Sequence, residues 1–146
     1  MLWITTAANK EEVRKEILTH SKVSDSEVKV VISDNPAGRK EQIAGLNGER
    51  YVITNYETLV ALEKSDPKGY AKLTQGSDGV PTILIIDEAQ LMDNQNTLRS
   101  KAIRKIKSDY VWLLTATPYQ NSERPSRAWP QQTRGFDRQE IQVLSF

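Results

Sequence analysis

The sequence predicts an α/β fold built on an open parallel sheet, and three observations predict it. Short β-rich runs alternate with stretches of helical spacing along most of the 146 residues. The runs are continuously apolar, the pattern of strands buried on both faces. Each run also ends in polar residues on its carboxyl side, the edge where open parallel sheets collect ligands. A parallel neighbour can be reached only through a crossover connection, so alternation of strand and helix is what such a sheet requires.

The elements follow in order. "LWITT", at 2–6, is the first run. After it Asn9 can cap a helix, with Glu12 reaching back three residues later, and Val13, Ile17 and Leu18 form the apolar stripe. His20 ends that helix. "VKVVIS", at 28–33, is followed by "DNPAGRKEQIAGL", where Pro36 suits a first helical turn and Gly45 and Gly48 suit the end. "RYVIT", at 50–54, leads into Thr54 and Glu57, a capping-box pair, and Tyr56, Leu59, Val60 and Glu63 continue the helix. The stretch "EKSDPKGYAKLTQGSDGVP" is rich in turn formers, which predicts a long loop with "KLTQGSDG" as an exposed insertion. "TILII", at 82–86, comes next, then a helix over 95–107 whose Leu98, Ala102, Ile103 and Ile106 share a face. "YVWLLT", at 110–115, is the last run. Trp3 and Trp112 lie inside strand runs and are expected in the core. Residues 1–120 are thus expected to form one lobe. Residues 121–146, with Pro125 and Pro130 and no sustained period, are expected to be linker or disordered tail.

Composition excludes several classes. The chain carries 20 basic and 19 acidic side chains, a net charge of +1, so a nucleic-acid contact must come from a local patch. There is no cysteine, hence no disulfide framework and no thiolate metal site, and a lone His20 leaves no ordinary zinc constellation. No apolar run approaches the roughly 18 residues of a membrane span, and the N-terminus lacks the layout of a signal peptide. An intracellular domain with no membrane partner is expected.

The polar strand ends are Thr5-Thr6, Ser33-Asp34-Asn35, Thr54-Asn55, Asp87-Glu88 and Thr115-Ala116-Thr117. Turn preference explains most of them. Asp87-Glu88 suggests more: a carboxylate pair after a buried strand can place one acid on Mg²⁺ and its neighbour on a water attacking a phosphoryl group. Acids are also favoured at any helix N-terminus, and spacing alone leaves both readings open. On the 95–107 helix, Arg99, Lys101, Arg104, Lys105 and Lys107 can meet phosphates or simply form a solvated face.

"IIDEAQ", at 85–90, resembles motif II, the Walker B box, of superfamily-two helicases and translocases, and "LLTATPYQNS", at 113–122, resembles their motif III. The sequence Thr117-Pro118-Tyr119-Gln120-Asn121 is similar to that of Swi/Snf-type remodelling ATPases rather than DEAD-box RNA helicases. "YVITNYETL" resembles the motif Ib block of that family, and "LWITTAANKEEVRKEI" is similar in position and shape to motif Ia. The resemblance covers residues 2 to about 121. It implies a three-layer, RecA-like (P-loop NTPase) lobe, incomplete at the N-terminus, with ATP and Mg²⁺ as cofactors of an intact parent. Asp87 would coordinate the Mg²⁺, Glu88 would polarise the attacking water, and Gln90 would link the nucleotide site to motif III. Thr115 and Thr117 would relay the nucleotide state, and Thr54, Asn55 and Tyr56 would approach the DNA backbone at a helix N-terminus. The implied partners are DNA, a second RecA-like lobe and a P-loop segment, in the nucleus of a eukaryote or the cytoplasm of a bacterium.

The sequence also departs from the family pattern. Position 90 is glutamine where most relatives have histidine, and Ala116 stands where many have glycine. No G-x-x-x-x-G-K-[ST] occurs anywhere, and motifs IV to VI are absent. The resulting expectation is a fragment of an ATP-dependent DNA translocase of the chromatin-remodelling type, a truncated gene product or excised segment that is inactive alone. Its rivals are a stand-alone, catalytically inactive partner- or DNA-binding module, and a fragment of an RNA helicase or restriction-system motor.

Overall fold

A computed structural model describes residues 1–32, 35–75, 83–92, 94–115 and, as backbone, 140–145. The expected sheet is present. Its strands are β1 (Leu2–Thr5), β2 (Val28–Val30), β3 (Tyr51–Asn55), β4 (Ile83–Ile86), β5 (Tyr110–Thr115) and β6 (Glu140–Ser145). They lie in the order β2-β3-β1-β4-β5-β6, and every neighbouring pair is parallel. Five helices connect them: α1 (Lys10–His20), α2 (Pro36–Ala44), α3 (Tyr56–Ser65), α4 (Pro67–Gln75) and α5 (Leu98–Arg104).

Helices cover both faces of the sheet. Leu2, Ile4, Leu84, Ile86, Val111 and Leu113 point to one face and pack against Ile43 of α2, Tyr56, Leu59 and Leu62 of α3, Leu73 of α4, and Ala102 and Ile103 of α5. Val13 and Ile17 of α1 pack on the other face against Val28 and Ile53, with Trp3 and Tyr51 at the margin. The side-chain period of two along a strand sends Leu2 and Ile4 one way and Trp3 the other. Continuous apolar runs therefore serve both layers. Leu84, Ile85 and Ile86 are all buried in succession. At roughly 1.5–3 kcal/mol per fully buried aliphatic side chain, these two layers supply most of the drive to fold.

Several local expectations are corrected. "KLTQGSDG" is not wholly an exposed insertion, since its first four residues complete α4 and bury Leu73 and Thr74. Asp66 starts that helix by accepting from the Gly69 amide at 3.0 Å, and Pro67 occupies the first turn, where its missing N–H costs nothing. The turn formers there are helix-start signals. Residues 76–82 lie outside the described set. Asn9 does not cap α1 with its side chain: a 3₁₀ turn over Ala7–Asn9 already gives it helical dihedrals, from which the side chain cannot reach back. Thr54 does not cap α3 either. It lies within β3, fully buried with its Oγ1 unpartnered, and Asn55 is the N-cap residue.

The expectation for α2 holds, with Asn35 Oδ1 accepting from the Gly38 amide at 2.7 Å, Pro36 in the first turn and Gly45 at the end. Helix α5 is shorter than 95–107, and its Leu98 is exposed while Ala102, Ile103 and Ile106 are buried. Strand β2 covers only half of "VKVVIS", and Ile32 beyond it is exposed. Trp3 and Trp112 are half-buried rather than central. Within the expected tail, Glu140–Ser145 is a strand paired with all six residues of β5. A single short strand without a patterned helix beside it gives little periodicity to read. Trp129 and the rest of 116–139 lie outside the described residues.

Candidate functional site

The carboxyl ends of β1, β4 and β5 meet at Asp87. β4 pairs with β1 up to Ile86, and the Asp87 amide then donates to Ile4 O at 2.8 Å, extending the ladder by one residue. There the chain turns. Glu88 takes φ 54°, the only non-glycine residue with positive φ among the described residues. A 3₁₀ turn over Ala89–Met92 follows, anchored by Ala89 and Met92, both fully buried.

Each polar group of Asp87 has a partner. Its amide is bonded to Ile4, Thr5 Oγ1 donates to Oδ2 at 2.8 Å, and the Glu88 amide donates to Oδ1 at 2.9 Å. The Tyr56 hydroxyl donates to its carbonyl. Thr5 and Tyr56 were missed in this role by the sequence reading. The Thr5-Thr6 strand end was a signal for the first, because parallel strands of equal register bring their ends together. Nothing local signals the second.

From Glu88 a chain of contacts runs toward β5. Gln90 Nε2 donates to Glu88 Oε2, and Thr115 Oγ1 donates to Gln90 Oε1 at 2.6 Å. The register pairs Ile86 with Leu113, which sets Thr115 level with Glu88. Asp87, Glu88, Gln90 and Thr115 are therefore brought together. Thr117 lies outside the described residues.

The structure places Thr54, Asn55 and Tyr56 at the β3–α3 junction with their side chains buried, at 0%, 5% and 1% exposure. Of the residues that open α3, Glu57 is exposed, while Tyr56 and Thr58 are buried. Glu57 stands beside them, accepting from Asn55 Nδ2 at 2.9 Å and from Arg99 at 2.6 Å. Arg99 also lies over the Tyr56 ring, 5.9 Å from its centroid. Burial, and then the charges of Asp87 and Glu88, push the Tyr56 ionisation far above the usual tyrosine range, which keeps it a neutral donor. Of the cations of the 95–107 segment, Arg99 and Lys105 pair with Glu57 and Glu63. Burial lowers the Arg104 ionisation.

The donor set fits one end of a metal-nucleotide group. Among the described residues no cluster of three or more His, Cys, Asp or Glu could hold a metal alone. Mg²⁺ characteristically takes one or two carboxylates and completes its shell with water and substrate phosphates, so a half-exposed Asp87 with spare lone pairs fits such a partial role. The other end, a glycine-rich cradle with its lysine, has no counterpart in the sequence.

Comparison with known proteins agrees with this architecture. Residues 11–126 match the model of the SNF2-related domain. The chain is also 29% identical over 133 residues to an uncharacterized ATP-dependent helicase of Schizosaccharomyces pombe, an alignment covering 82% of this chain and 12% of that protein. The chain thus spans about an eighth of the length of that relative. No described helix is long and apolar enough to cross a membrane. Since the domain match covers most of the chain and takes in the acid turn with β4 and β5 beside it, the chain belongs to the SNF2-related domain family.

Proposed function

We propose that this chain is the acid-bearing part of an ATP-driven motor lobe that moves along duplex DNA, with Asp87 and Glu88 at its reaction centre. The observation that carries this is the linkage from Glu88 through Gln90 to Thr115, which joins an acid pair to the neighbouring strand end. MgATP would supply the phosphoryl group and a cation that neutralises charge on the phosphate oxygens. Asp87, its side chain oriented by Thr5, would face the cation directly or through water. Glu88 would orient the attacking water. Gln90 would hold the Glu88 carboxylate in place, and Thr115 and Thr117 would report its position to a second RecA-like lobe. Thr54, Asn55 and Tyr56, all three buried, would lie beneath the surface that the β3–α3 junction turns to the DNA backbone. Glu57 opposes phosphate there, and Arg99 offsets it.

The second reading is a module that binds partners or DNA without turnover, a role that needs no G-x-x-x-x-G-K-[ST] pattern. One set of measurements separates the two. Phosphate release, MgATP binding and binding of labelled duplex DNA are followed for this chain and for a longer polypeptide of the same protein that includes a P-loop and a second lobe. The motor reading expects a silent short chain, weak duplex binding that collapses with salt, and a longer polypeptide whose turnover is lost in Glu88→Gln. Salt-resistant, sequence-specific binding by the short chain, or a longer polypeptide indifferent to Glu88→Gln, would sink it.

A further inference from the structure

The peptide plane between Asp87 and Glu88 is held at both ends. Its carbonyl oxygen accepts from the Tyr56 hydroxyl, and its N–H donates to Asp87 Oδ1 at 2.9 Å. A peptide is rigid, so fixing its two polar ends fixes the dihedrals on either side, ψ of Asp87 and φ of Glu88. Glu88 sits at φ 54°, a left-handed conformation that carries a steric cost for an L-residue with a long side chain. A flip of this one peptide would relax that cost, carry Glu88 to negative φ and swing its carboxylate away from Gln90. The carbonyl of Asp87 lies past the last residue of β4, where a strand partner no longer determines its direction. Tyr56 supplies the missing restraint.

We propose that Tyr56 is the positioning residue of Glu88: its hydroxyl holds the Asp87–Glu88 peptide against a flip and so sets where the Glu88 carboxylate stands. The consequence for catalysis rests on the acid turn being the reaction centre; the positioning itself does not. Tyr56 is suited to this because its ring cannot move freely. It is 1% exposed, packs in the core with Leu59 and Leu62, and is covered by Arg99, which Glu57 fixes in turn. Its placement is set by α3, an element otherwise separate from the acid turn. The hydroxyl of a buried tyrosine must find a partner, yet Tyr70 meets the same need on the carbonyl of Ala102 and not on the acid turn, and provides an internal comparison.

The test is nuclear magnetic resonance on this chain, wild type against Tyr56→Phe, with Tyr70→Phe as control. A residue at positive φ gives a strong contact between its own amide and α protons. In wild type Glu88, at φ 54°, is expected to show it. The proposal expects that contact to weaken to the level of a residue at negative φ in Tyr56→Phe, with displaced signals for the Glu88 amide and the Gln90 side-chain amide, and to stay strong in Tyr70→Phe. A purely structural tyrosine would lower the melting temperature and leave Glu88 unmoved, which overturns the proposal. Should Tyr56→Phe not fold, Arg99→Ala loosens the ring from the surface. It is expected to weaken the same Glu88 contact, while Lys105→Ala, which breaks the Lys105–Glu63 pair between α3 and α5, leaves it intact. No response of Glu88 to Arg99→Ala, or an equal response to Lys105→Ala, would overturn it as well. Phosphate-release failure in the longer polypeptide would count against the motor reading alone, because none of these signals depends on turnover.

Discussion

Thr5 Oγ1 donates to Asp87 Oδ2 at 2.8 Å across 82 residues of sequence, tying the end of β1 to the first acid of the site. Thr5 is fully buried and Asp87 half-exposed, so one partner cannot turn to water if the bond is lost. Hydrogen bonds to charged groups contribute about 1.5–3 kcal/mol, less where water can replace the donor.

Thr5→Val keeps shape and removes the donor. It is expected to destabilise the chain by about 1–2 kcal/mol in urea unfolding, with Thr5→Ser losing less than half of that. Equal losses for the two variants would show that the methyl group, not the hydroxyl, matters at this position.

The Gln90–Thr115 bond can be isolated by a double-mutant cycle. Gln90→Ala and Thr115→Val are expected to couple by about 0.5–1.5 kcal/mol, because the two atoms stand 2.6 Å apart. Thr115→Val combined with Lys105→Ala, whose ion pair is with Glu63 on α3, should be additive. Additivity in the first pair would remove the linkage that carries the functional reading.

The positive φ of Glu88 gives a steric prediction. Glycine adopts that conformation without strain and a β-branched residue does so poorly. Glu88→Gly is expected to lie within about 1 kcal/mol of wild type, and Glu88→Val about 1–2 kcal/mol below Glu88→Gly, judged by thermal unfolding. The reverse order would mean that the turn relaxes to negative φ in solution.

Tyr56 and Tyr70 should ionise late. Burial, with the charges of Asp87 and Glu88 second, holds Tyr56 well above its ordinary value, and burial, with Glu63 second, pushes Tyr70 up to about 12. The sign follows directly. Unfolded tyrosines ionise near pH 10, so the stability these two groups lend is fully present below about pH 10 and is lost as pH rises through their folded values. Tyrosinate absorbance should therefore reach its full amplitude only together with alkaline unfolding seen by circular dichroism. In Tyr70→Phe the fall in stability above pH 10 should be shallower. Full ionisation of Tyr56 and Tyr70 in a still-folded chain would contradict the burial of both rings.

Much of the architecture could be read from the sequence, because it depends on local pattern. The runs "LWITT", "RYVIT", "TILII" and "YVWLLT" are apolar without interruption, and only burial on both faces makes such strands favourable, which dictates helices on each side and parallel crossovers. Their polar ends then had to gather at one edge, and Asp87, Glu88, Gln90 and Thr115 are found together there. What the chain alone could not decide depends on the angle and spacing between elements. Helix α4 needed Asp66 to turn back onto Gly69 and Leu73 to find a core already assembled, and neither is visible in a stretch that reads as turn formers. Tyr56 reads equally well as an exposed helix-start residue or as a core ring. Only the packing of α3 on the core layer of the sheet and against α5 buries it and aims its hydroxyl at Asp87, just as only the equal register of β1 and β4 brings Thr5 within reach of the same residue. Sequence set which residues lie at the edge, and three-dimensional packing set which of them touch, because a hydrogen bond depends on tenths of an ångström that no linear pattern encodes.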